Sequence, residues 1–349
     1  MSDVSITIDL DGGGDAQGHI EVPSSTNDSG WRNEFIPVAT FGDPDADRAA
    51  VVFGGTHGDE FEGQIAVQRL ARALIEGDER ARTQLILVPS LSMPACRQGT
   101  RLWPDGTNMN RVFPGDPDGS PSQRLAHFLV QEIFPRVHHV FDIHSGGRSM
   151  HFFPMSHMRR VEDVEQGKLM LDAMKAWNSD LHMLYTNIAG TGLLPDTASD
   201  MGKVVVTTEL GGGGYIDPAT HQLAQAGLRN SLRSIGVLEG EARTRADLGM
   251  EPATIVRALA RENYLLAPQD GILEVVAAPG QAVRHGDVVA RIHRVEHPWA
   301  APAEITSPKD GYVCTVRAPA LTRQGDCACV VGEVVDEAEI WDDPDQQVP

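Results

Sequence analysis

The run Gly54-Gly55-Thr56-His57-Gly58-Asp59-Glu60 sets a histidine and a glutamate three residues apart, directly after the apolar stretch Ala50-Val51-Val52-Phe53. A second histidine, His144, closes another apolar run, Phe141-Asp142-Ile143-His144-Ser145. Two imidazoles and one carboxylate make up the ligand set of a catalytic zinc and leave a fourth position for water. Zinc held in this way lowers the pKa of that water to about 7, so hydroxide is available at neutral pH. The residue types and their spacing predict a zinc hydrolase with a single Zn2+ per chain, held by His57, Glu60 and His144.

Each part also has a plainer reading, a histidine in a surface loop or one satisfied in a core. The spacing of His57 and Glu60 puts both on one side of a helical turn, and the adjacent glycines let the backbone approach closely. Asp142 shares a strand face with His144, where it would orient a metal-binding imidazole; the sequence leaves open which one. Glu209 follows the apolar run Val204 to Thr208 and precedes Leu210 and Gly211 to Gly214. A carboxylate at the end of a buried strand is costly unless bonded or functional, and desolvation raises its pKa into the range of a general base. Glu209 is therefore expected to take a proton from water and pass it to a leaving amine, with Gly211 and Gly212 leaving room for substrate. Asn110 and Arg111 lie in a Pro- and Gly-bounded loop, Trp103 to Gly115, where the arginine fork suits a carboxylate. Arg101, in Gly99-Thr100-Arg101, would hold a developing oxyanion, its alternative being a surface salt bridge. His127, His138, His139, His151, His157, His182 and His221 have no ligand spacing and read as structural.

These residues need elements to position them. Residues 1–48 read as strands and turns, broken by Gly12-Gly13-Gly14, with Phe35 to Ala39 as an edge strand. Over 49–245 buried strands (Ala49 to Phe53, Gln84 to Val88, His139 to Ile143, Val204 to Thr208) alternate with helical periodicity (Glu62 to Ile75, Ser122 to Phe134, Val164 to Trp177, Pro218 to Leu238). That alternation predicts an α/β catalytic domain with a mostly parallel sheet flanked by helices. His57, His144 and Glu209 each fall at or just past the carboxyl end of a predicted strand, where such sheets bind ligands. Residues 250–335 read as a separate C-terminal β domain; within it 264–334 are rich in Val, Gly and Pro without helical period and carry a weak repeat. Pro268-Gln269-Asp270-Gly271 recurs as Pro308-Lys309-Asp310-Gly311, and Arg284-His285-Gly286-Asp287 as Arg323-Gln324-Gly325-Asp326. Two such units suggest a C-terminal all-β barrel or sandwich hybrid. It is similar to biotinyl/lipoyl-type domains, but no lysine between the units could carry a swinging arm. Residues 336–349 read as an acidic tail, disordered from Trp341 to Pro349.

Composition excludes several classes. The formal net charge is −20 and only Lys168, Lys175, Lys203 and Lys309 are lysines, so no basic cluster exists for nucleic acid. No run of apolar residues is long enough to span a bilayer, and Met1-Ser2-Asp3-Val4 does not begin a signal peptide, which predicts a cytoplasmic protein without a membrane partner. Cys96, Cys314, Cys327 and Cys329 form no CxxC pair and read as small buried side chains.

With Gly-x-His57-Gly-Asp-Glu60, Asn110-Arg111, Asp-Ile-His144-Ser and Thr-Glu209-Leu in this order, the chain resembles the succinylglutamate desuccinylase/aspartoacylase family, relatives of the zinc carboxypeptidases. The resemblance spans roughly residues 30–335. It implies a zinc-carboxypeptidase-like fold, zinc on His57, Glu60 and His144, and Glu209 as base and acid. It also implies Asn110 and Arg111 on the substrate's α-carboxylate, Arg101 on the carbonyl, and a C-terminal β domain roofing the site. Gly18-His19-Ile20, Asn27-Asp28-Ser29-Gly30-Trp31, Gly99-Thr100-Arg101 and Glu209-Leu-Gly-Gly-Gly-Gly214 resemble one subgroup, the Nα-acetyl-L-2,4-diaminobutyrate deacetylases of ectoine breakdown. The implied partner is a small N-acyl amino acid, and the implied assembly a homodimer. Rival substrates are N-succinylglutamate, N-acetylaspartate and a C-terminal peptide bond. The rival class, a zinc-binding protein without turnover, has no use for Glu209.

Overall fold

A computed structural model describes residues 4–341 apart from 28, 47 and 186–189. The expected tail beyond Trp341, Asp28 and the first three residues lie outside the described residues. A large mixed sheet runs through the molecule. Across its middle the order is Ser29–Phe41, Leu85–Val88, Ala50–Gly54, His139–His144, Val204–Glu209, Met155–Arg159, Leu181–Tyr185 and Thr254–Ala258. Leu85–Val88, Ala50–Gly54, His139–His144 and Val204–Glu209 run parallel. Met155–Arg159 enters antiparallel to Val204–Glu209 and opens a second parallel set with Leu181–Tyr185 and Thr254–Ala258.

Ala50–Gly54 and Leu85–Val88 carry no polar side chain because they are covered on both faces. Every residue of Ala50–Gly54 and Leu85–Val88 is buried. The helix Phe61–Glu76 buries Gly63, Ala66, Val67, Leu70 and Leu74, one stripe at helical spacing, and ends where Gly77 turns left-handed at φ 81°. The helix Pro218–Ser234 starts with Asp217 as cap and proline in its first turn. Among the described residues, no helix is long and apolar enough to cross a membrane.

Three expectations about elements change. Phe35 to Ala39 is not an edge. It belongs to the long strand Ser29–Phe41, which pairs with Ala16–Thr26 on one side and Leu85–Val88 on the other. Met155–Arg159 and Leu181–Tyr185 are strands that the sequence reading passed over. Trp341, expected to begin a disordered tail, is instead packed against the main core. Ile340 is buried in the main core, and Trp341 sits over Gly167, where any Cβ would meet its ring at 2.4 Å.

The C-terminal β region contributes to two sheets. Ala303–Thr306, Val288–His293, Gly271–Val275 and Leu321–Thr322 form a separate antiparallel sheet. Gly311–Arg317 and Cys327–Val334 extend the large sheet, Cys327–Val334 pairing antiparallel with Thr254–Ala258. The repeat has a structural meaning. Asp310 Oδ1 accepts from the His285 N–H at 2.8 Å, and Asp270 Oδ1 accepts from the Gln324 N–H at 2.7 Å. Each unit's Asp-Gly turn thus satisfies the other unit's loop. Burial pushes the thiols of Cys96 and Cys314 up to about 12 and that of Cys327 up to about 11, in keeping with unreactive side chains.

Candidate active site

Two parallel strands and one turn bring the predicted residues together. Glu209 ends its strand directly beside His144, its register partner, and His57 and Glu60 lie in the turn after the neighbouring strand. That turn is fixed by close backbone contact. A Cβ on Gly58 would stand 2.1 Å from the Ala95 carbonyl carbon, so only glycine fits against the helix Met93–Gln98.

His57 Nδ1 lies 2.7 Å from Glu60 Oε1, and His144 Nδ1 lies 2.7 Å from Glu60 Oε2. All three side chains are buried, with ligand atoms within 4.8 Å of one another. The outer nitrogens are engaged. His144 Nε2 meets Asp142 Oδ2 at 2.7 Å, and Asp142 Oδ1 accepts from the Thr56 hydroxyl at 2.6 Å. This answers the question left open by the sequence: Asp142 backs His144. His57 Nε2 meets Asn108 Oδ1 at 3.1 Å. The sequence reading named the loop but missed this role; the same oxygen also accepts from the Asn110 N–H at 2.9 Å, which fixes the Asn108 side chain locally.

The protonation pattern fits a cation. Burial lowers the pKa of His57, although Glu60 opposes the effect. Burial alone would raise that of Glu60, but His57 and His144 hold it well below the usual carboxylate range. Burial works against charge on His144, yet Asp142 and Glu60 outweigh it and hold the imidazole well above its ordinary value. The donor set, two inward Nδ1 atoms and a carboxylate with their far sides anchored, suits zinc.

Glu209 has one carboxylate oxygen, Oε2, enclosed and without a hydrogen-bond partner among the described residues. Burial, then the negative charge of Glu60, push its pKa well above the ordinary value. The hydroxyl of Tyr264, contributed by the C-terminal region, is close enough for its own pKa to be raised by that carboxylate, after burial and two cysteines. Glu62 is a second acid that the sequence reading did not single out. It is buried near Ser145, and burial pushes it up to about 7.

Arg101 Nη1 donates to Glu60 Oε1 at 3.0 Å, which sets its guanidinium beside the triad. Burial and the nearby positive charge of Arg101 lower the pKa of Arg111. Arg111 also donates to the Asn110 carbonyl. Asn110 is largely committed to the protein. Its Oδ1 accepts from the Leu194 N–H at 2.7 Å, and its Nδ2 lies 3.4 Å from His144 Nε2.

Gly211 and Gly212 do not leave open space at their Cβ positions. Thr220 Cγ2 would stand 3.3 Å from a Cβ on Gly211, and the Met150 carbonyl 2.3 Å from one on Gly212. Gly211, Gly212, Gly213 and Gly214 have φ of 65°, 122°, 77° and 80°. These positive φ values require glycine for the loop conformation itself, with Gly212 also packed against backbone. Of the other histidines, His157 and His182 are buried and hydrogen-bonded to Thr207 and Ser156.

The family described as "Succinylglutamate desuccinylase/Aspartoacylase catalytic domain" matches residues 46–235. The N-alpha-acetyl-L-2,4-diaminobutyric acid deacetylase of Halomonas elongata is 33% identical over 336 residues, 96% of each chain. The product-bound ectoine utilization protein EutE (DoeB) of Ruegeria pomeroyi is 32% identical with a TM-score of 0.87, covering 95% of this chain and 99% of that one. A succinylglutamate desuccinylase of Silicibacter sp. TM1040 is 34% identical, also at a TM-score of 0.87, covering 96% of this chain and all of that one, 100%. The chain belongs to the succinylglutamate desuccinylase/aspartoacylase family.

Proposed function

We propose that this protein is a zinc-dependent amidohydrolase that converts Nα-acetyl-L-2,4-diaminobutyrate to L-2,4-diaminobutyrate and acetate in ectoine degradation. The observation that carries the substrate is the likeness, over 96% of both chains, to the Halomonas deacetylase. A zinc ion on His57, Glu60 and His144 would supply Lewis acidity, polarising the scissile carbonyl and acidifying water.

The chain's own groups do the rest. Glu209, with an unpartnered oxygen and a raised proton affinity, takes a proton from the attacking water and delivers it to the leaving nitrogen. Arg101 offers its guanidinium to the oxygen that becomes negative. Arg111 receives the substrate's α-carboxylate, its repulsion from Arg101 relieved when that anion arrives, and Asn110 contributes by fixing the loop through its bond from the Leu194 N–H. Asp142 and Asn108 keep both Nδ1 atoms turned inward.

Residues 49–245 form the catalytic unit in this reading, with 1–48 leading in and 250–335 covering the site. The proposed setting is the cytoplasm and the proposed assembly a homodimer, which sedimentation of the purified chain checks. A second reading, removal of a succinyl group from N-succinylglutamate, is favoured by the likeness to the Silicibacter desuccinylase at 34% identity. Purified, zinc-loaded protein is offered Nα-acetyl-L-2,4-diaminobutyrate, N-acetylaspartate and N-succinylglutamate in parallel. The deacetylase reading expects a kcat/KM for the first at least tenfold above the others. A higher value for N-succinylglutamate would replace it with the second reading.

A further inference from the structure

The short strand Met150–Phe152 lies between two partners from distant parts of the chain. On one edge it pairs antiparallel with Gly311–Arg317 of the C-terminal region, with Thr315 opposite Phe152 and Val316 opposite His151. The Thr315 hydroxyl adds a bond to the His151 carbonyl at 3.0 Å. The Phe153 N–H donates to Cys314 O at 2.9 Å, and the Ala318 N–H donates to Ser149 O at 3.0 Å, so the junction extends past both strand ends. On its other edge the strand holds the glycine loop. The Phe152 N–H donates to Gly211 O at 2.8 Å, and the Gly213 N–H donates to Met150 O at 2.9 Å.

That loop begins one residue after Leu210, which follows Glu209. The Leu210 N–H donates to the His144 carbonyl at 3.1 Å. The contact has no slack. A Cβ on Gly146 would meet Met150 O at 2.2 Å, and one on Gly212 would meet the same oxygen at 2.3 Å. Bare backbone packed this closely passes a displacement on instead of absorbing it.

We propose that the C-terminal region is a working part of the catalytic machinery: through Met150–Phe152 it sets the position of Glu209, and Thr315 is the positioning residue at the junction. This rests on the reading of Glu209 as base. A roof over the site would affect substrate entry and hence KM. A brace on the base affects proton transfer and hence kcat.

The test compares T315V, which is isosteric without the hydroxyl, with T315S, which keeps it, in the full-length zinc-loaded enzyme. T315V is expected to lose three- to tenfold in kcat with KM and zinc content unchanged, and to exchange the Gly213 amide proton about tenfold faster. T315S is expected to recover both. In the wild type, the Phe152 and Gly213 amides should exchange at the same rate as those of Gly311–Arg317. Unchanged kcat in T315V, a loss confined to KM, or exchange of Gly213 independent of the C-terminal strand would each overturn the proposal. E209Q separates the two claims. If E209Q kept its turnover, the base assignment would fall, and the exchange data would still decide whether the brace exists.

Discussion

His57 and His144 present the same atom to Glu60 but are held from behind by different chemistry. Asp142, an ionisable carboxylate, backs His144, and Asn108, a neutral amide, backs His57. A carboxylate behind an imidazole raises its basicity and fixes its tautomer. Asp142→Asn is accordingly expected to weaken zinc binding about 10–100-fold, measured by competition with a chromophoric chelator. Glu209 should behave oppositely. Glu209→Gln keeps the shape and the zinc content while kcat falls about 100- to 10,000-fold, the range of a lost general base. Turnover and metal content measured on the same preparation distinguish the two variants. The reactive types were readable from sequence because an HxxE pair and strand-end His and Glu have few other uses together. Asp142 was readable as an orienting carboxylate from its strand spacing, but Asn108 was not, because it is 51 residues from His57 and no local pattern marks that contact.

Elements position the site through glycines whose need becomes visible only with neighbours in place. Gly58 abuts Ala95, and a Cβ on Gly63 would stand 2.4 Å from the Ile143 carbonyl oxygen, so turn, helix and central strand meet without side chains between them. Gly58→Ala is expected to destabilise the fold by about 1–3 kcal/mol, the usual cost of overpacking, and to lower zinc affinity because His57 must shift. Thermal unfolding with and without zinc measures both. The strands found from sequence were those with unbroken apolar runs, such as Ala50–Gly54. Met155–Arg159 was missed because Ser156, His157 and Arg159 read as polar. In the fold they are satisfied by the Met174 carbonyl, Thr207 and Ser199, bonds made only after long-range pairing. Nothing local shows that Leu85–Val88 closes the free side of Phe35 to Ala39, so the sequence alone reads that stretch as an edge.

At the scale of the whole molecule, the sheet runs from the N-terminal hairpin to the C-terminal region. The repeat near 270 and 310 was legible because its Asp-Gly turns recur. Its pairing with the catalytic sheet was not legible, since it depends on Thr254–Ala258 joining Leu181–Tyr185. Burial also sets a global pH response. His182 is fully enclosed, and burial, then Arg245 and Lys175, lower its pKa to about 3. The unfolded chain takes up that proton near pH 6.5, so this contribution to stability is complete above about 6.5 and is lost as pH falls toward 3. His182→Asn should flatten the slope of unfolding free energy between pH 6 and 4 by up to about 1.4 kcal/mol per pH unit, seen in urea titrations.

The most direct measurement is acetate release from Nα-acetyl-L-2,4-diaminobutyrate by the purified protein, before chelation, after chelation and after zinc is returned. The account predicts release that chelation stops and zinc restores, with one zinc bound per chain and none retained when His57 and His144 are both replaced by alanine. Release that continues in a verified metal-free protein would contradict it, as would no release from a folded sample carrying its zinc.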